Sequence, residues 1–309
     1  YRPRRTYFYW NFLIERYFMF TGVYTALITP FKNGAIDFNS LDKLVQFQLD
    51  QGIQGLVVCG TTGESATLNE KEQFEILDFV CKKVEKKVPI LFGSGSNNTS
   101  KTIELSKKAC EFPIDGLLVV VPYYNKPPQD GLIAHFTAVA DASPKPVVLY
   151  NVPGRTVINL DPKTVVELSK HPNIAGIKEA NSDLEKFSEY KDLVPSDFSL
   201  LSGDDESCVE FCKLGGHGVI SVCSHIAPQQ MVSWIEKACK KEDSISEVFK
   251  DQHPWIQALY ITANPIPVKA ALVKKSIIET KEMRLPLTPM NDSDESIMMN
   301  TLNQFEGLL

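Results

Sequence analysis

The chain has 309 residues, a net charge of −6 at pH 7 and a pI near 5.5. Its composition, 43% hydrophobic and 23% charged, is typical of a globular protein, and the length allows a large buried core. The acidic balance argues against a nucleic-acid-binding protein, because there is no basic excess to neutralise phosphates. No apolar run approaches the roughly 20 residues that a membrane-spanning helix needs, so we also expect no membrane partner.

Residues 1–18 differ in composition from the rest of the chain. They contain four arginines, one acid and many aromatic residues. Their apolar stretch is too short for the core of a signal peptide. Because Met19 has the character of a natural start, we interpret residues 1–18 as an N-terminal extension that is disordered or non-native.

The seven cysteines are scattered, odd in number and without a C-x-x-C motif. This pattern indicates reduced thiols in a cytoplasmic protein, not a disulfide framework or a zinc site. Cys208 and Cys212 are four residues apart, and we expect them to pack in the core from one helix face.

Eight short segments rich in apolar and β-branched residues recur along the chain. Each is continuously apolar, as is typical of parallel strands buried on both faces. The predicted strands are 23–28, 55–58, 90–92, 116–121, 147–150, 175–178, 199–201 and 218–222.

Amphipathic stretches between these segments predict helices. Asn69 with Glu72, and Ser182 with Glu185, have the spacing of capping boxes, and Pro162 suits a first helical position. Eight such alternations predict an α/β fold, a (β/α)₈ TIM barrel in residues 19–243. An open doubly wound sheet is the alternative, but no G-x-G-x-x-G turn follows the first strand. For residues 244–309 we predict a C-terminal helical region with helices at 245–261, 267–279 and 293–305.

The active site of such a barrel lies at the carboxyl ends of the strands. Lys178 ends the sixth predicted strand, where burial favours a neutral amine that can attack carbonyl groups. A lysine that extends to solvent is the alternative. Tyr150 ends the fifth strand, where a phenol can move protons or simply pack.

Three further side chains at these strand ends can bind an anion. Thr61 and Thr62 follow the second strand and either donate to a carboxylate or shape the turn. Arg155 follows a Pro-Gly turn and either binds a carboxylate or forms a surface ion pair. We interpret Asp204 and Asp205 as a helix cap or support, because no histidine or further acid stands at metal-ligand spacing.

Five motifs stand in order along the chain. They are Gly-Thr-Thr-Gly-Glu at 60–64, Pro-Tyr-Tyr-Asn at 122–125, Tyr-Asn-Val-Pro-Gly-Arg-Thr at 150–156, Gly-Ile-Lys-Glu-Ala at 176–180 and Ser-Gly-Asp-Asp at 202–205. Together they resemble the dihydrodipicolinate synthase family, and the resemblance extends from about Met19 to the C-terminus. The wider group of pyruvate-dependent class I aldolases, including N-acetylneuraminate lyase, shares the Gly-Thr-Thr-Gly-Glu motif, Tyr150 and Lys178, whereas Arg155 favours the synthases.

The resemblance implies a catalytic role for four side chains. Lys178 would form an imine with the ketone of pyruvate, and Tyr150 would be the central proton donor and acceptor. Thr61 and Tyr124 would complete the proton relay, with Tyr124 reaching in from a neighbouring subunit of a homotetramer, a dimer of dimers. No metal or organic cofactor is implied, because the lysine imine is the electron sink.

The resemblance also implies the substrates. Thr62, with the backbone of Gly203 and Ile220, would hold the carboxylate of pyruvate, and Arg155 would bind that of L-aspartate-4-semialdehyde. The product would be 4-hydroxy-tetrahydrodipicolinate, made in the first committed step of the cytoplasmic diaminopimelate and lysine pathway. Two alternatives are another pyruvate-dependent aldolase or lyase acting on a sugar acid, which Arg155 disfavours, and a non-catalytic ligand-binding barrel, which the presence of Lys178 disfavours.

Relatives that are regulated by lysine bind it at a dimer interface. Glu70 and Gln73 stand where those relatives often carry histidine, and Lys101 stands where they carry glutamate. A cation at this position repels the ammonium group of lysine, so we expect weak or absent lysine inhibition. The positions that match the family's site are Ser65, Ala66, Asn97 and Tyr123.

Overall fold

The computed structural model describes residues 20–305, 307 and 308. Our prediction for residues 1–18 lies outside the described residues. Within them, eight parallel strands close into a barrel whose neighbours follow the order β1-β10-β9-β8-β7-β6-β5-β4, which confirms the predicted fold class. These strands are β1 (Gly22–Ala26), β4 (Gly55–Val58), β5 (Ile90–Gly93), β6 (Gly116–Val120), β7 (Val147–Asn151), β8 (Ile174–Glu179), β9 (Ser199–Ser202) and β10 (Gly218–Ser221).

A small antiparallel hairpin, β2 (Phe31–Lys32) and β3 (Ala35–Ile36), follows β1 and was not predicted. Two-residue strands are too short to show an alternating pattern. None of the helices in the described part of the chain is long and apolar enough to cross a membrane. They are α1 (Phe38–Asp50), α2 (Glu70–Val84), α3 (Thr99–Ala109), α4 (Gln129–Ala142), α5 (Pro153–Thr156), α6 (Pro162–Leu168), α7 (Leu184–Tyr190), α8 (Cys208–Lys213), α9 (Pro228–Cys239), α10 (Ile245–Lys250), α11 (His253–Ala258), α12 (Ile266–Lys274) and α13 (Asp292–Leu302).

Two of the predicted helix starts are confirmed and one is wrong. Asn69 and Glu72 exchange side chain-to-backbone hydrogen bonds of 3.0 Å as a capping box, and Pro162 opens α6. In α7 the cap is Asp183, not Ser182: the Asp183 carboxylate accepts from the backbone N–H of Lys186 at 3.2 Å. Asp and Ser are both good caps, so the spacing alone could not choose between these adjacent residues.

The C-terminal helices are shorter than predicted. The segment 245–261 divides into α10 and α11, because Pro254 has no N–H to continue the α10 ladder and instead occupies the first turn of α11. The second predicted helix, 267–279, ends at Lys274, and Ser276 takes a left-handed conformation with φ of 60°. A left-handed residue of this kind commonly ends a helix.

Successive residues of the barrel strands contribute in turn to two separate hydrophobic cores. A large cluster lies between the strands and the surrounding helices and includes Leu149 and Ile177. A smaller cluster fills the inside of the barrel and includes Tyr24, Val148 and Tyr150. Because successive side chains of a strand point to opposite faces, each residue next to a barrel-lining position packs outward against the helices.

A buried ion pair ties the C-terminal region to the loop after β4. The Lys269 ammonium of α12 donates to the Glu64 carboxylate, and neither side chain is exposed. Lys269 also donates to the carbonyl of Glu282 at 2.9 Å and lies 4.4 Å from the centre of the Phe31 ring. Glu64 has a left-handed φ of 54° and begins the turn that leads toward α2. The pair therefore fixes the loop that carries Thr62.

We predict that removing one member of this pair destabilises the fold strongly. Lys269→Met leaves an unpaired buried carboxylate and should lower the free energy of unfolding by about 3–5 kcal/mol. Replacing both partners, Glu64→Leu with Lys269→Met, should recover most of that loss. Lys82→Met, which breaks an exposed helical pair with Asp78, should cost no more than about 1 kcal/mol. Urea unfolding measures all three, and a loss in Lys269→Met no larger than that in Lys82→Met would contradict this prediction.

Candidate functional site

Tyr150 and Lys178 lie side by side inside the barrel. They are partners in the parallel pairing of β7 with β8. The Lys178 ammonium nitrogen is 4.3 Å from the centre of the Tyr150 ring, and the two residues are 6% and 7% exposed. Lys178 is thus buried, as expected, and the alternative of a lysine that extends to solvent is wrong.

Gly203, directly after β9, has no Cβ atom and therefore leaves room for the Lys178 side chain. A Cβ atom added at Gly203 would lie 2.7 Å from Cε of Lys178 and 2.7 Å from Cβ of Ala180. The Gly203 N–H donates to the Glu179 carbonyl at 2.7 Å, which holds this backbone against β8. Ile220 of β10 is buried in the same inner cluster as Tyr150.

Asn264 joins two of the predicted substrate-binding residues. Its side-chain amide donates to the Thr62 hydroxyl at 2.9 Å, and its carbonyl accepts from the Arg155 guanidinium at 3.2 Å. The Asn264 side-chain oxygen is buried and has no hydrogen-bond partner. The structure therefore brings Thr62 and Arg155 together through a residue of the C-terminal region, to which sequence reasoning gave no role. Its only signal in the sequence is its place at the start of the segment Asn-Pro-Ile-Pro-Val-Lys at 264–269.

Tyr124 does not pack against the other candidate residues of its own chain. It is 89% exposed and has a left-handed φ of 75°. Left-handed backbone is unfavourable for a bulky residue, and such strain is found preferentially at functional sites. Thr61 is half-buried in the loop after β4, next to the buried Thr62.

Asn151 and Glu179 form a second pair of polar residues, directly after Tyr150 on β7 and Lys178 on β8. The side-chain amide of Asn151 donates to both carboxylate oxygens of Glu179, at 2.9 and 3.0 Å. Glu179 also accepts from the N–H of Asn181 at 3.0 Å and from the Tyr190 hydroxyl at 3.3 Å. Burial raises the pKa of Glu179 from 4.5 to about 7. Sequence reasoning missed this pair, because its positions follow Tyr150 and Lys178 and carry no separate signal.

The two aspartates after β9 support the backbone around them, as expected, but neither caps α8, whose N-cap residue is Ser207. Asp204 accepts from the N–H and hydroxyl of Ser207, at 2.9 and 2.5 Å. Asp205 accepts from the N–H groups of Val222 and Cys223, at 2.8 and 2.9 Å, and from the Tyr260 hydroxyl at 2.7 Å. These bonds hold the end of β10, which carries Ile220. Among the described residues, no group of three or more His, Cys, Asp or Glu side chains could hold a metal ion.

The candidate lysine-binding positions lie on the rim of the same barrel end. Gln73 donates to the carbonyls of Ser65 and Leu68, both at 3.3 Å, so its amide holds the turn at 65–67. Glu70 pairs with Lys108 at 2.6 Å. The remaining positions are accessible to solvent: Ala66, Lys101 and Tyr123 are exposed and Asn97 is half-buried.

Comparison with known proteins assigns the chain to a family. A model of the dihydrodipicolinate synthetase family matches residues 19–305, and the chain belongs to that family. A curated 4-hydroxy-tetrahydrodipicolinate synthase of Bdellovibrio bacteriovorus is 49% identical over 274 residues, which cover 88% of this chain and 93% of the relative. The family predicted from the five motifs is therefore confirmed.

Solved structures agree with this assignment. A crystal structure of dihydrodipicolinate synthase from Thermotoga maritima matches with a TM-score of 0.91 and 41% identity, covering 94% of this chain and all of that chain. A dihydrodipicolinate synthase from Acinetobacter baumannii, described as chloride-inhibited and complexed with pyruvate, matches with a TM-score of 0.90 and 38% identity, covering 94% and 99%.

We predict that Glu179 makes the stability of the fold depend on pH. Because its pKa is raised to about 7, the folded state binds more protons than the unfolded state between pH 4.5 and 7. Stability therefore falls as the pH rises through this window, by up to roughly 3 kcal/mol. Glu179→Gln should match the wild type near pH 4.5 and exceed it above pH 7.

Urea unfolding at a series of pH values measures this difference. Glu185→Gln is the matched control, because Glu185 is an exposed acid on the neighbouring helix α7. A difference between Glu179→Gln and the wild type that stays constant from pH 4.5 to 8 would contradict the prediction.

Proposed function

We propose that this chain is a lyase that condenses pyruvate with L-aspartate-4-semialdehyde to give 4-hydroxy-tetrahydrodipicolinate. This is the first committed step of the diaminopimelate and lysine pathway. The observation that carries the proposal is the buried amine of Lys178, 4.3 Å from the Tyr150 ring. The curated relatives, which are named 4-hydroxy-tetrahydrodipicolinate synthase, support the same reaction.

Lys178 is the proposed nucleophile. Its amine attacks the ketone of pyruvate and forms an imine with loss of water. Tyr150 is adjacent and supplies and removes protons, and Thr61 and Tyr124 complete the relay. The imine draws electrons from the methyl group of pyruvate, so that an enamine forms without a metal or organic cofactor. The enamine carbon attacks the aldehyde, and the amine of the second substrate then displaces Lys178 as the ring closes.

Two anion sites orient the substrates. Thr62, with the backbone of Gly203 and Ile220, holds the carboxylate of pyruvate, and Arg155 binds the carboxylate of the semialdehyde. Asn264 contacts both Thr62 and Arg155, which supports two neighbouring carboxylate sites in one pocket. The chain thus divides into a catalytic barrel at 19–243 and a helical region at 244–309, but both regions contribute residues to the same proposed site.

A homotetramer built as a dimer of dimers completes the site in this proposal. Tyr124 is 89% exposed in a strained backbone conformation, which suits a side chain that enters the site of a neighbouring subunit. We place the enzyme in the cytoplasm, and the seven unbridged cysteines support a reducing compartment.

A coupled rate assay tests the reaction. Pyruvate and L-aspartate-4-semialdehyde are supplied, and an added dihydrodipicolinate reductase consumes NADPH as the product forms. We expect turnover in the wild type, none in Lys178→Ala, and a loss of about 10²–10⁴-fold in Tyr150→Phe. Lys170→Ala, which removes an exposed lysine at the end of α6, should keep wild-type turnover. No turnover with the semialdehyde, together with turnover of a sugar acid, would contradict the proposal.

Mixed oligomers test the position of Tyr124. Tyr124→Ala and Lys178→Ala should each be nearly inactive alone. If Tyr124 serves the neighbouring subunit, a mixed dimer contains one site with both residues intact and recovers about half of the activity per dimer. Co-expression with two different affinity tags yields the mixed species. Mixed dimers as inactive as the single variants would show that Tyr124 acts within its own chain.

Lysine inhibition tests the rim positions. We expect the wild type to be inhibited weakly or not at all, because Lys101 repels the lysine ammonium. Lys101→Glu should tighten inhibition by roughly five- to tenfold, as expected when an exposed charge is reversed. Lys107→Glu on the same helix is the matched control. Strong inhibition of the wild type at sub-millimolar lysine would contradict the prediction.

A further inference from the structure

Two cysteines meet at the amino-terminal end of the barrel, opposite the end that carries Lys178. The Cys212 thiol of α8 contacts the carbonyl of Gly218 at 3.8 Å, and the Cys239 thiol of α9 contacts that of Gly216 at 3.7 Å. Each thiol is also close enough to the other to shift its pKa. Two sulfur atoms from different helices therefore share one position beside the start of β10.

The two sulfur atoms differ in accessibility. Cys239 is exposed, whereas Cys212 is buried at 1% exposure. Both line an open cavity of about 510 Å³, together with Gln54, Glu236 and Lys241. A small solute can therefore reach Cys239 from solvent. The buried Cys212 can react only after Cys239 has been modified, by attacking the modified Cys239 sulfur.

The interaction between the thiols makes them chemically unequal. The neighbouring Cys212 lowers the pKa of Cys239, although partial burial and the nearby Glu236 carboxylate oppose this effect. The same interaction and burial raise the pKa of Cys212. The sulfur exposed to solvent is thus the better thiolate, and thiolates are the reactive form of cysteine. Burial raises the pKa of the half-buried Cys110, which makes it a useful internal comparison.

We propose that Cys239 and Cys212 form a peroxide-reactive pair in which Cys239 is attacked first and Cys212 resolves the product as a disulfide. The Cys239 thiolate attacks one oxygen of a hydroperoxide, the O–O bond breaks, and the leaving oxygen takes a proton to form water or an alcohol. Cys239 is then a sulfenic acid.

Cys212 completes the reaction. Its sulfur attacks the sulfur of Cys239, the S–O bond breaks, and the departing hydroxide combines with the Cys212 proton to form water. The two sulfur atoms together lose two electrons, and the hydroperoxide gains them. The pair would protect Cys239 from further oxidation, because a disulfide can be reduced by thiols whereas a sulfinic acid cannot.

The test exposes the full-length protein to limiting hydrogen peroxide, blocks the remaining thiols with N-ethylmaleimide and maps the peptides by mass spectrometry. We expect a cross-link between the Cys212 and Cys239 peptides, with loss of two hydrogens, fully reversed by dithiothreitol. Cys239 should be consumed at least about tenfold faster than Cys110. Cys212→Ser should accumulate sulfenic and sulfinic acid at Cys239 and lose reversibility.

Two further variants keep the test decisive if the buried substitution at Cys212 prevents folding. Cys239→Ser changes an exposed position and should abolish the fast phase of thiol loss, whereas Cys110→Ser should leave it unchanged. The cross-link lies far from Lys178, so the oxidised wild type should keep its turnover. Consumption of Cys110 as fast as Cys239, or over-oxidation of Cys239 in the wild type without a cross-link, would overturn the proposal.

Discussion

The pairing of β7 with β8 is the constraint on which the rest of the site depends. It aligns Tyr150 with Lys178 and Asn151 with Glu179. Side chains alternate along a strand, so the first pair points into the barrel and the second pair points outward. A shift of one residue in this pairing would exchange the two sets. The double hydrogen bond from Asn151 to Glu179 holds the alignment from the outer face, where the reaction does not disturb it.

The helical region after the barrel contacts the loops of the site, although it is distant from them in the sequence. Lys269 neutralises Glu64 and fixes the loop after β4, and Asn264 joins Thr62 to Arg155. Tyr260 donates to Asp205, which in turn holds the backbone after β10. Three residues of one region thus make four contacts with the loops after β4, β7 and β9, and the last of these contacts extends through Asp205 to the backbone after β10. A barrel without this region would expose a buried carboxylate at Glu64, which is why the two parts of the chain form one functional unit.

The sequence contains enough information for the barrel and for its chemistry, but not for the contacts between distant segments. Continuous apolar runs mark strands buried on both faces, so all eight barrel strands could be predicted to within two residues at each end. Lys178 and Tyr150 could be found because each ends a strand. Asn264 could not, because its importance depends on contacts with Thr62 and Arg155, 202 and 109 positions away. Glu179 could not be found either, because it directly follows Lys178 in the sequence and carries no separate signal. The relatives confirm the family expected from the motifs, whereas the role of each side chain stays a prediction.

The proposed reaction depends on Lys178 as the amine that captures pyruvate, and borohydride trapping tests this role. The protein is incubated with pyruvate alone, reduced with borohydride, digested and mapped by mass spectrometry. We expect one reduced pyruvate adduct, located on the peptide that contains Lys178 and absent in Lys178→Ala. An adduct on a different buried lysine, such as Lys269, or no adduct in a protein that still turns over both substrates, would contradict it.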